Sequence, residues 1–233
     1  MFAGQVPTPS RFPDMVRLLF NEVTGTPVFF NDGTDAERSP SWSRAGGATA
    51  VCSTAQFKEG TASLSLAGGT SDFIQTGAFA GGNFPVSGDM FAGGWFRPAF
   101  VTSVRFCGLE PGTTPATRGW FFVTNISNQI FFFYSDGTTT FQIGPGPAIV
   151  VNTFVYLAVE RVSNKLYFSA NGTVINAGGT AFASNFNCPA GNFQLGATQA
   201  SGAGCGGFID MWQMRAGSVF GGANFTPPVT PIP

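Results

Sequence analysis

The chain has 233 residues, a length that suits one β-sandwich domain, and its composition excludes several classes of protein. Only 10% of the residues are charged, against about 25% in an average globular protein, whereas 15% are aromatic and 27 of these are Phe. Eleven basic and twelve acidic residues leave a net charge of -1 without any basic block, which excludes the electrostatic footprint of a nucleic-acid binder.

The residue types that are missing exclude most catalytic sites. The sequence contains no His, so it has no Ser-His-Asp triad, no Cys-His pair and half of the usual zinc ligands are missing. A glycoside hydrolase needs two carboxylates facing one sugar, and residues i and i+2 of a strand face the same way. Only Asp35 and Glu37 have that spacing, and they lie in a turn-forming stretch, residues 31–40. We therefore expect that the protein is not an enzyme.

The same stretch holds the best candidates for a metal site. Asp32, Asp35 and Glu37 would offer the hard oxygen ligands that Ca²⁺ prefers. The stretch lacks the D-x-[DN]-x-[DN]-G pattern of a calcium loop, so we expect a solvated loop, with a Ca²⁺ site as the alternative. No other cofactor is expected.

The cysteines and the apolar runs bear on where the protein works. No apolar stretch of the kind found in secretory signals follows Met1, and the run Ile130–Tyr134 is far shorter than the roughly 20 residues of a membrane helix. We expect neither a signal peptide nor a membrane partner. Buried thiols are the interpretation that we favour, and three disulfide pairings remain open, for Cys52, Cys107, Cys188 and Cys205.

The order of elements along the chain predicts an all-β fold. Residues 1–15 carry three prolines and predict an extended arm, whereas residues 226–233 carry four and predict a Pro-rich tail that leaves the sheet. The domain between them, 16–225, shows no sustained helical period. Its short β-rich runs predict strands at 16–20, 62–66, 73–76, 90–97, 104–109, 119–124, 129–135, 139–143, 192–196 and 207–215.

Residues 153–172 contain the clearest supersecondary signal. The run 153–162 is followed by Ser163-Asn164, a second run over 165–170 and then Asn171-Gly172, a dipeptide that is typical of a type I′ hairpin turn. More than ten short strands without intervening helices predict a two-sheet antiparallel β-sandwich or jelly roll.

Five segments in this order resemble one family of proteins. They are Leu18–Phe20, Ser53–Leu64 with Asp72–Ile74, Gly94–Pro98, the hairpin Asn152–Gly172, and Gly207–Asp210 with Asn224–Pro228. Together they resemble the concanavalin A-like, laminin G-like jelly rolls of tailed-phage virion proteins, over residues 16–228.

The resemblance implies a structural virion protein that is made in the host cytoplasm. It would be an accessory subunit on the surface, either a capsid decoration or a tail appendage, bound to other virion proteins and in contact with glycans of the host or environment. The alternative is a carbohydrate-binding adhesion module, lectin-like or part of a tail fibre. A glycan hydrolase ranks last, because related glucanases carry paired acids on one strand where this chain has Asp210 alone.

Three residues are the candidates for glycan contacts. Aromatic faces stack on the apolar C–H surfaces of sugar rings, and we expect Trp42, in a loop, and Trp120, at the start of a strand, to lie at a surface. Asp210 would accept hydrogen bonds from a sugar, with a structural role as the alternative. We expect Trp95 and Trp212 to lie in the core.

The aromatic run also predicts self-association. Phe131, Phe132, Phe133 and Tyr134 place rings on both faces of a strand, so a sheet face that is usually wet must be covered. We expect a homo-oligomer or a shell partner to cover it, with the Pro-rich ends reaching neighbouring subunits.

Overall fold

The protein is a sandwich of two antiparallel β-sheets, which confirms the predicted fold class. The computed structural model describes residues 14–18, 42–45, 50–58, 62–67, 73–78, 87–198, 200 and 203–229, and only the backbone of 14–18, 42–45, 52, 77 and 78. One short 3-10 helix, Pro115–Thr117, interrupts the strands in the part that is described. None of the helical residues within these ranges forms a segment that could span a membrane.

Within the described residues, nine strands form sheet A: β1 (Asp14–Leu18), β3 (Val51–Ser53), β4 (Ser63–Leu66), β6 (Met90–Arg97), β11 (Val155–Val162), β12 (Lys165–Ala170), β13 (Thr173–Val174), β14 (Thr180–Ala181) and β16 (Gly207–Ala216). Seven form sheet B: β2 (Trp42–Ala45), β5 (Phe73–Ala78), β7 (Arg105–Gly108), β8 (Trp120–Thr124), β9 (Ile130–Ser135), β10 (Thr140–Ile143) and β15 (Asn192–Leu195). Sheet A runs β13-β12-β11-β6-β16-β4-β3, with β1 beside β16 and β14 beside β12, and sheet B runs β10-β9-β8-β7-β15-β5-β2.

The predicted hairpin is present with the expected turn chemistry. Strands β11 and β12 pair in register around Ser163-Asn164, and both turn residues have positive φ, 48° and 63°. Asn171 and Gly172, with φ of 48° and 77°, turn the chain into β13. These are the left-handed conformations that a type I′ turn requires.

The core lies between the sheets and is largely aromatic. The Phe122 ring of sheet B lies 6.3 Å from the Trp212 ring and 5.4 Å from the Phe168 ring of sheet A, measured between centroids. The Trp120 ring lies 6.5 Å from Trp212, and all four side chains are less than 2% exposed. This contact fixes the strands of sheet B on which the candidate site lies.

Strand β16 contains a bulge, where Met211 and Trp212 together lie opposite the single residue Gly94 of β6. Asp210 pairs with Trp95 and Gln213 with Gly93, so the register shifts between them, and Met211 has a positive φ of 50°. The side chain of Met211 packs on the outer face and that of Trp212 in the core. This confirms the prediction that Trp212 lies in the core.

Trp95 is buried, but on the outer face of sheet A rather than between the sheets. It belongs with four other buried residues to the Trp95 cluster, defined as Phe91, Trp95, Tyr156, Ala158 and Met211. Trp95 is predicted to lie in the core because it is inside a predicted strand among Phe residues. The alternation of side chains along a strand defines two faces but does not say which of them is inward.

The C-terminal strap, residues 217–229, covers the Trp95 cluster. Trp95 Nε1 donates a hydrogen bond to the Pro228 carbonyl at 2.8 Å, and Phe225 N donates to Gly172 O at 2.9 Å. A Cβ atom at Gly172 would overlap the Phe225 carbonyl oxygen, so the strap approaches as closely as only glycine permits. As far as Val229 the Pro-rich tail packs on its own sandwich. Contact of the Pro-rich ends with neighbouring subunits stays a prediction.

Glu160 of β11 fastens the start of the strap. Its Oε1 accepts hydrogen bonds from Val219 N at 2.6 Å, Phe220 N at 2.7 Å and Ser218 Oγ at 3.3 Å, and its Oε2 accepts one from Gly222 N at 3.0 Å. The carboxylate is 4% exposed. A buried charge is tolerated here because successive backbone N–H groups surround it.

Cys107, Cys188 and Cys205 are free thiols, which agrees with the interpretation that we favoured. Cys107 and Cys205 are buried and Cys188 is half-buried, while the side chain of Cys52 is not described. Burial raises the pKa of Cys107 well above its ordinary value and that of Cys205 to about 12. These thiols are therefore protonated and unreactive at neutral pH.

Candidate functional site

An open groove crosses the outer face of sheet B. Its volume is about 340 Å³, near the lower end of the usual range for small-molecule sites. Its floor is apolar and its rim is polar. The lining residues are Arg105, Arg118, Phe121, Val123, Thr124, Asn125, Phe131, Phe133 and Gln142.

Strand alternation and register together build the groove. Phe121 of β8 lies opposite Phe133 of β9, and Phe133 lies opposite Gln142 of β10, which forms one row across the sheet. Arg105 of β7 and Phe131 of β9 flank Val123 of β8 in a second row. The residues between these positions point inward, so alternate residues of β8 and β9, with one residue each from β7 and β10, contribute to one surface.

The aromatic floor is partly exposed, and its two open rings, Phe131 and Phe133, are tilted by 47° to each other. The Phe121 and Phe133 rings stack with centroids 5.3 Å apart and planes within 5° of each other. The Phe131 ring lies 6.2 Å from Phe133. Phe131 and Phe133 are half-buried, whereas Phe121 is covered at 1% exposure. A ligand in the groove therefore meets the rings of Phe131 and Phe133 directly.

Glu110 holds two arginines at the rim. Its Oε2 accepts a hydrogen bond from Arg105 Nε at 3.1 Å and its Oε1 accepts one from Arg118 Nε at 3.0 Å. Thr198 Oγ1 donates to Oε2 at 2.7 Å. The Glu110 side chain is fully buried, and the two arginine side chains are 19% exposed. Ion pairs with a buried partner are screened far less than surface pairs, so this arrangement is rigid.

Phe121 orients both guanidinium groups. The Cζ atoms of Arg105 and Arg118 lie 4.7 and 5.5 Å from the centroid of its ring. At such distances the ring quadrupole attracts the cations. Glu110 engages only the Nε atom of each, and among the described residues no acceptor takes a hydrogen bond from the Nη atoms.

The groove can bind a ligand that has one apolar face and a polar edge. Flat rings provide contact area for C–H surfaces, while the arginine Nη atoms and the amides of Asn125 and Gln142 provide hydrogen-bonding groups at the rim. Sugar rings combine these two properties.

Trp120 is placed differently from the prediction. It is fully buried between the sheets, with its ring centroid 5.3 Å from that of Phe193. It offers no face to solvent, and this corrects the expectation that it contacts a glycan at a surface. Strand β8 begins at Trp120, so the first residue of the strand already faces the core.

Asp210 has the structural role that was the alternative. It is 2% exposed, its Oδ2 accepts a hydrogen bond from Lys58 N at 2.8 Å, and its Oδ1 accepts one from Met211 N at 2.9 Å. These bonds hold the bulge of β16 and tie residues 54–58 to the sheet. Lys58 Nζ in turn lies 4.5 Å from the Trp95 ring centroid.

The other candidates are only partly described. Trp42 is the first residue of β2 rather than part of a loop, and its side chain is not described, so its glycan contact stays a prediction. Asp32, Asp35 and Glu37 lie outside the described residues. Within the described ranges, no group of three or more Cys, Asp or Glu side chains could hold a metal ion.

Sequence reasoning singled out Phe131 and Phe133 only for self-association, and it assigned none of the groove residues to a binding site. The usable signal was the alternation of aromatic residues at Phe121, Phe131 and Phe133, with an arginine on either side of the turn before β8. The search for sugar-stacking residues considered tryptophan only, and phenylalanine supplies the floor instead.

Comparison with known proteins shows the fold. No protein-family model matches the sequence, and no curated protein matches it significantly. Among solved structures, domain 4 of the extracellular arabinanase AbnA from Geobacillus stearothermophilus, in complex with arabinotriose, is 12% identical with a TM-score of 0.55. The alignment covers 88% of this chain and 93% of that domain.

Two toxin domains are similar over part of their length. The ligand binding domain of botulinum neurotoxin serotype D, in complex with N-acetylneuraminic acid, is 8% identical with a TM-score of 0.58, covering 89% of this chain and 48% of that one. The binding domain of Paraclostridial Mosquitocidal Protein 1 is 10% identical with a TM-score of 0.56, covering 79% and 46%. This chain thus spans about half the length of these toxin domains. It shares with all three structures a two-sheet jelly-roll fold.

Proposed function

We propose that the protein is a non-catalytic glycan-binding module whose ligand lies in the groove of sheet B. The observation that carries the proposal is the pair of half-buried rings, Phe131 and Phe133, beside two arginines that Glu110 holds in place. A preformed site of this kind loses little conformational entropy on binding. The carbohydrate ligands named for the arabinanase domain and the serotype D toxin domain support a sugar as the ligand class.

A binding role rather than hydrolysis agrees with the state of the carboxylates. Glu110, Glu160 and Asp210 are each at most 4% exposed, and each accepts hydrogen bonds from the protein. A general acid or nucleophile must reach the glycosidic bond, and these three do not reach a surface. The groove itself is lined by no acidic residue.

A glycan array probed with the wild type and with Phe133→Ala tests the proposal. We expect the wild type to bind a subset of glycans without cleaving them, and Phe133→Ala to lose at least about tenfold in affinity, because stacked rings supply most of the contact area. Phe100→Ala is the matched control, since this ring is 52% exposed and lies outside the groove. Equal binding by folded Phe133→Ala would place the ligand elsewhere.

The resemblance to tailed-phage jelly rolls supports a more specific setting for this module, in a virion. In that setting it is an accessory subunit of a virion, in the capsid or the tail, made in the host cytoplasm and joined to other virion proteins or to copies of itself. Purified protein added to particles that lack it should bind at fixed positions in averaged images. Particles that take up none of the protein would contradict this setting and leave the glycan-binding module untouched.

A further inference from the structure

We infer that the groove selects glycans that carry a carboxylate, and that Arg105 and Arg118 bind this group. The inference rests on the proposed function and specifies its ligand class. Its basis is the network of Glu110, where one buried carboxylate serves two guanidinium groups that both line the groove.

The charge balance of the network favours a monoanion. Two arginines and one carboxylate leave a net charge of +1 at the rim, and the nine lining residues include no acid to cancel it. Glu110 is fully buried and accepts hydrogen bonds on both oxygens, so it cannot turn to meet a ligand. A neutral sugar would leave this charge without a counter-ion in a partly desolvated groove.

The hydrogen-bonding pattern favours a planar acceptor with two oxygens. Both guanidinium groups bind the same carboxylate through Nε, so they lie side by side, and among the described residues their Nη atoms donate to no protein acceptor. The Cζ atoms of both also lie within 5.5 Å of the centroid of the Phe121 ring. Charge-assisted bonds from fixed arginines to a carboxylate are among the strongest polar contacts in proteins.

The aromatic floor and the two arginines thus bind different parts of the ligand. The sugar ring packs on Phe131 and Phe133, and its carboxylate lies at the end of the groove that Arg105 and Arg118 form. Uronic acids and sialic acids have this combination of an apolar ring face and a carboxylate.

Titration calorimetry with paired ligands tests the inference without changing the protein. The probes are trigalacturonate and sialyllactose, each with its methyl ester, and lactose with its sulfate ester. We expect at least one acid to bind about tenfold or more tighter than its own methyl ester, because esterification removes a charge-assisted bond. The preference should shrink at high salt.

Arg118→Gln supplies the second measurement. The variant should bring the acid-to-ester ratio close to one, a change that partial unfolding does not produce, since unfolding lowers both affinities equally. Arg97→Gln is the matched control, because Arg97 lies outside the groove with its Cζ 5.7 Å from the Phe208 ring centroid. A ratio that Arg118→Gln leaves unchanged would overturn the inference.

The other outcomes separate this inference from the proposed function. Equal affinity for acids and esters, or tighter binding of lactose sulfate than of both acids, would overturn carboxylate selection while glycan binding stands. Failure of every probe and of a full glycan array to bind would overturn both.

Discussion

The two outer faces of the sandwich are both rich in aromatic side chains, yet only one is open. On sheet A, Trp95 and Tyr156 lie beneath the C-terminal strap and are 7% and 1% exposed. On sheet B, Phe131 and Phe133 are half-buried and line a groove of about 340 Å³. The chain therefore covers one apolar face with its own residues and leaves the other accessible.

The two faces differ in which groups donate hydrogen bonds to their buried carboxylates. Glu160 on sheet A accepts four hydrogen bonds from residues 218–222 and thereby fastens a cover. Glu110, next to the groove of sheet B, binds the Nε atoms of two arginine side chains and leaves their Nη atoms at the rim. The Glu160 carboxylate, which is bound mainly by backbone N–H groups, holds a cover over its face. The Glu110 carboxylate, which is bound by two arginine side chains, supports a polar rim. The first face therefore contributes to stability, and the second is the face on which we propose that the ligand binds.

Removing the strap should have the largest effect. Deletion of residues 218–233 uncovers the Trp95 cluster, and each large apolar side chain that loses its cover is worth about 1.5–3 kcal/mol. We expect several kcal/mol of lost stability in urea unfolding and association of the purified protein. The pKa of Tyr156, which burial and then Glu160 raise, should fall toward its ordinary value in an alkaline absorbance titration.

Deletion of residues 230–233 alone is the control for this change, because the contacts of Trp95 with Pro228 and of Gly172 with Phe225 remain. A protein that lacks 218–233 but unfolds at the same urea concentration as the full chain would show that the cover contributes nothing.

Glu110→Gln should have the next largest effect and should act on the other face. The neutral side chain leaves two partly buried guanidinium groups without a counter-charge, and removing one partner of a buried ion pair costs about 3–5 kcal/mol. The arginines are 19% exposed, so we expect about 2–4 kcal/mol in denaturant unfolding. Stability within about 0.5 kcal/mol of the wild type would mean that the network is not the support of the rim.

Glu160→Gln should loosen the strap without unfolding the sandwich. An amide offers one acceptor where the carboxylate offers two, and the loss of charge-assisted bonds should cost about 1–3 kcal/mol. We expect faster protease cleavage within residues 217–229 and unchanged glycan affinity. Asp89→Asn is the matched control, since this exposed acid loses the same charge and its side chain accepts a bond from Ser163 N rather than from the strap, while its carbonyl, which accepts from Gly217 N, is unchanged by the substitution. Equal protection of the strap in both variants would contradict this role of Glu160.

The smallest effect is expected at the turn between β9 and β10, beside the groove. Asp136 Oδ1 accepts hydrogen bonds from Thr139 N at 2.8 Å and Thr138 N at 2.9 Å, and these hold the pKa of its carboxyl below the ordinary value of 3.8. A carboxyl with a lower pKa in the folded state stabilises the fold above its unfolded pKa. This contribution is lost as the pH falls through the folded-state value.

Asp136→Asn should therefore lower the melting temperature by about 1–2 °C at pH 7, with the difference from the wild type shrinking below pH 4. Scanning calorimetry between pH 7 and pH 2.5 measures both. A difference that grows on acidification would contradict the assigned direction.

The sequence by itself determined most of the longer strands and the turns of the hairpin over 153–172, but not the short strands β2, β3, β13 and β14. The run Met90–Arg97 was predicted to the residue, and so was Lys165–Ala170, because Gly, Asn and Asp bound each β-rich run and Asn171-Gly172 adopts the positive φ values of a type I′ turn. These signals are local. They depend on the backbone preferences of neighbouring residues, which the sequence states directly.

Only the tertiary structure decided which face of each strand is inward and what covers it. Trp95 is buried on the outer face of sheet A rather than between the sheets, and Trp120 lies in the core rather than at a surface, because a period of two defines two faces without ranking them. The site needed long-range pairing as well. Thr198 and Glu110 are 88 residues apart in sequence, and their hydrogen bond forms because β15 packs beside β7. Burial and site geometry arise from contacts between distant segments, and no local pattern specifies those contacts.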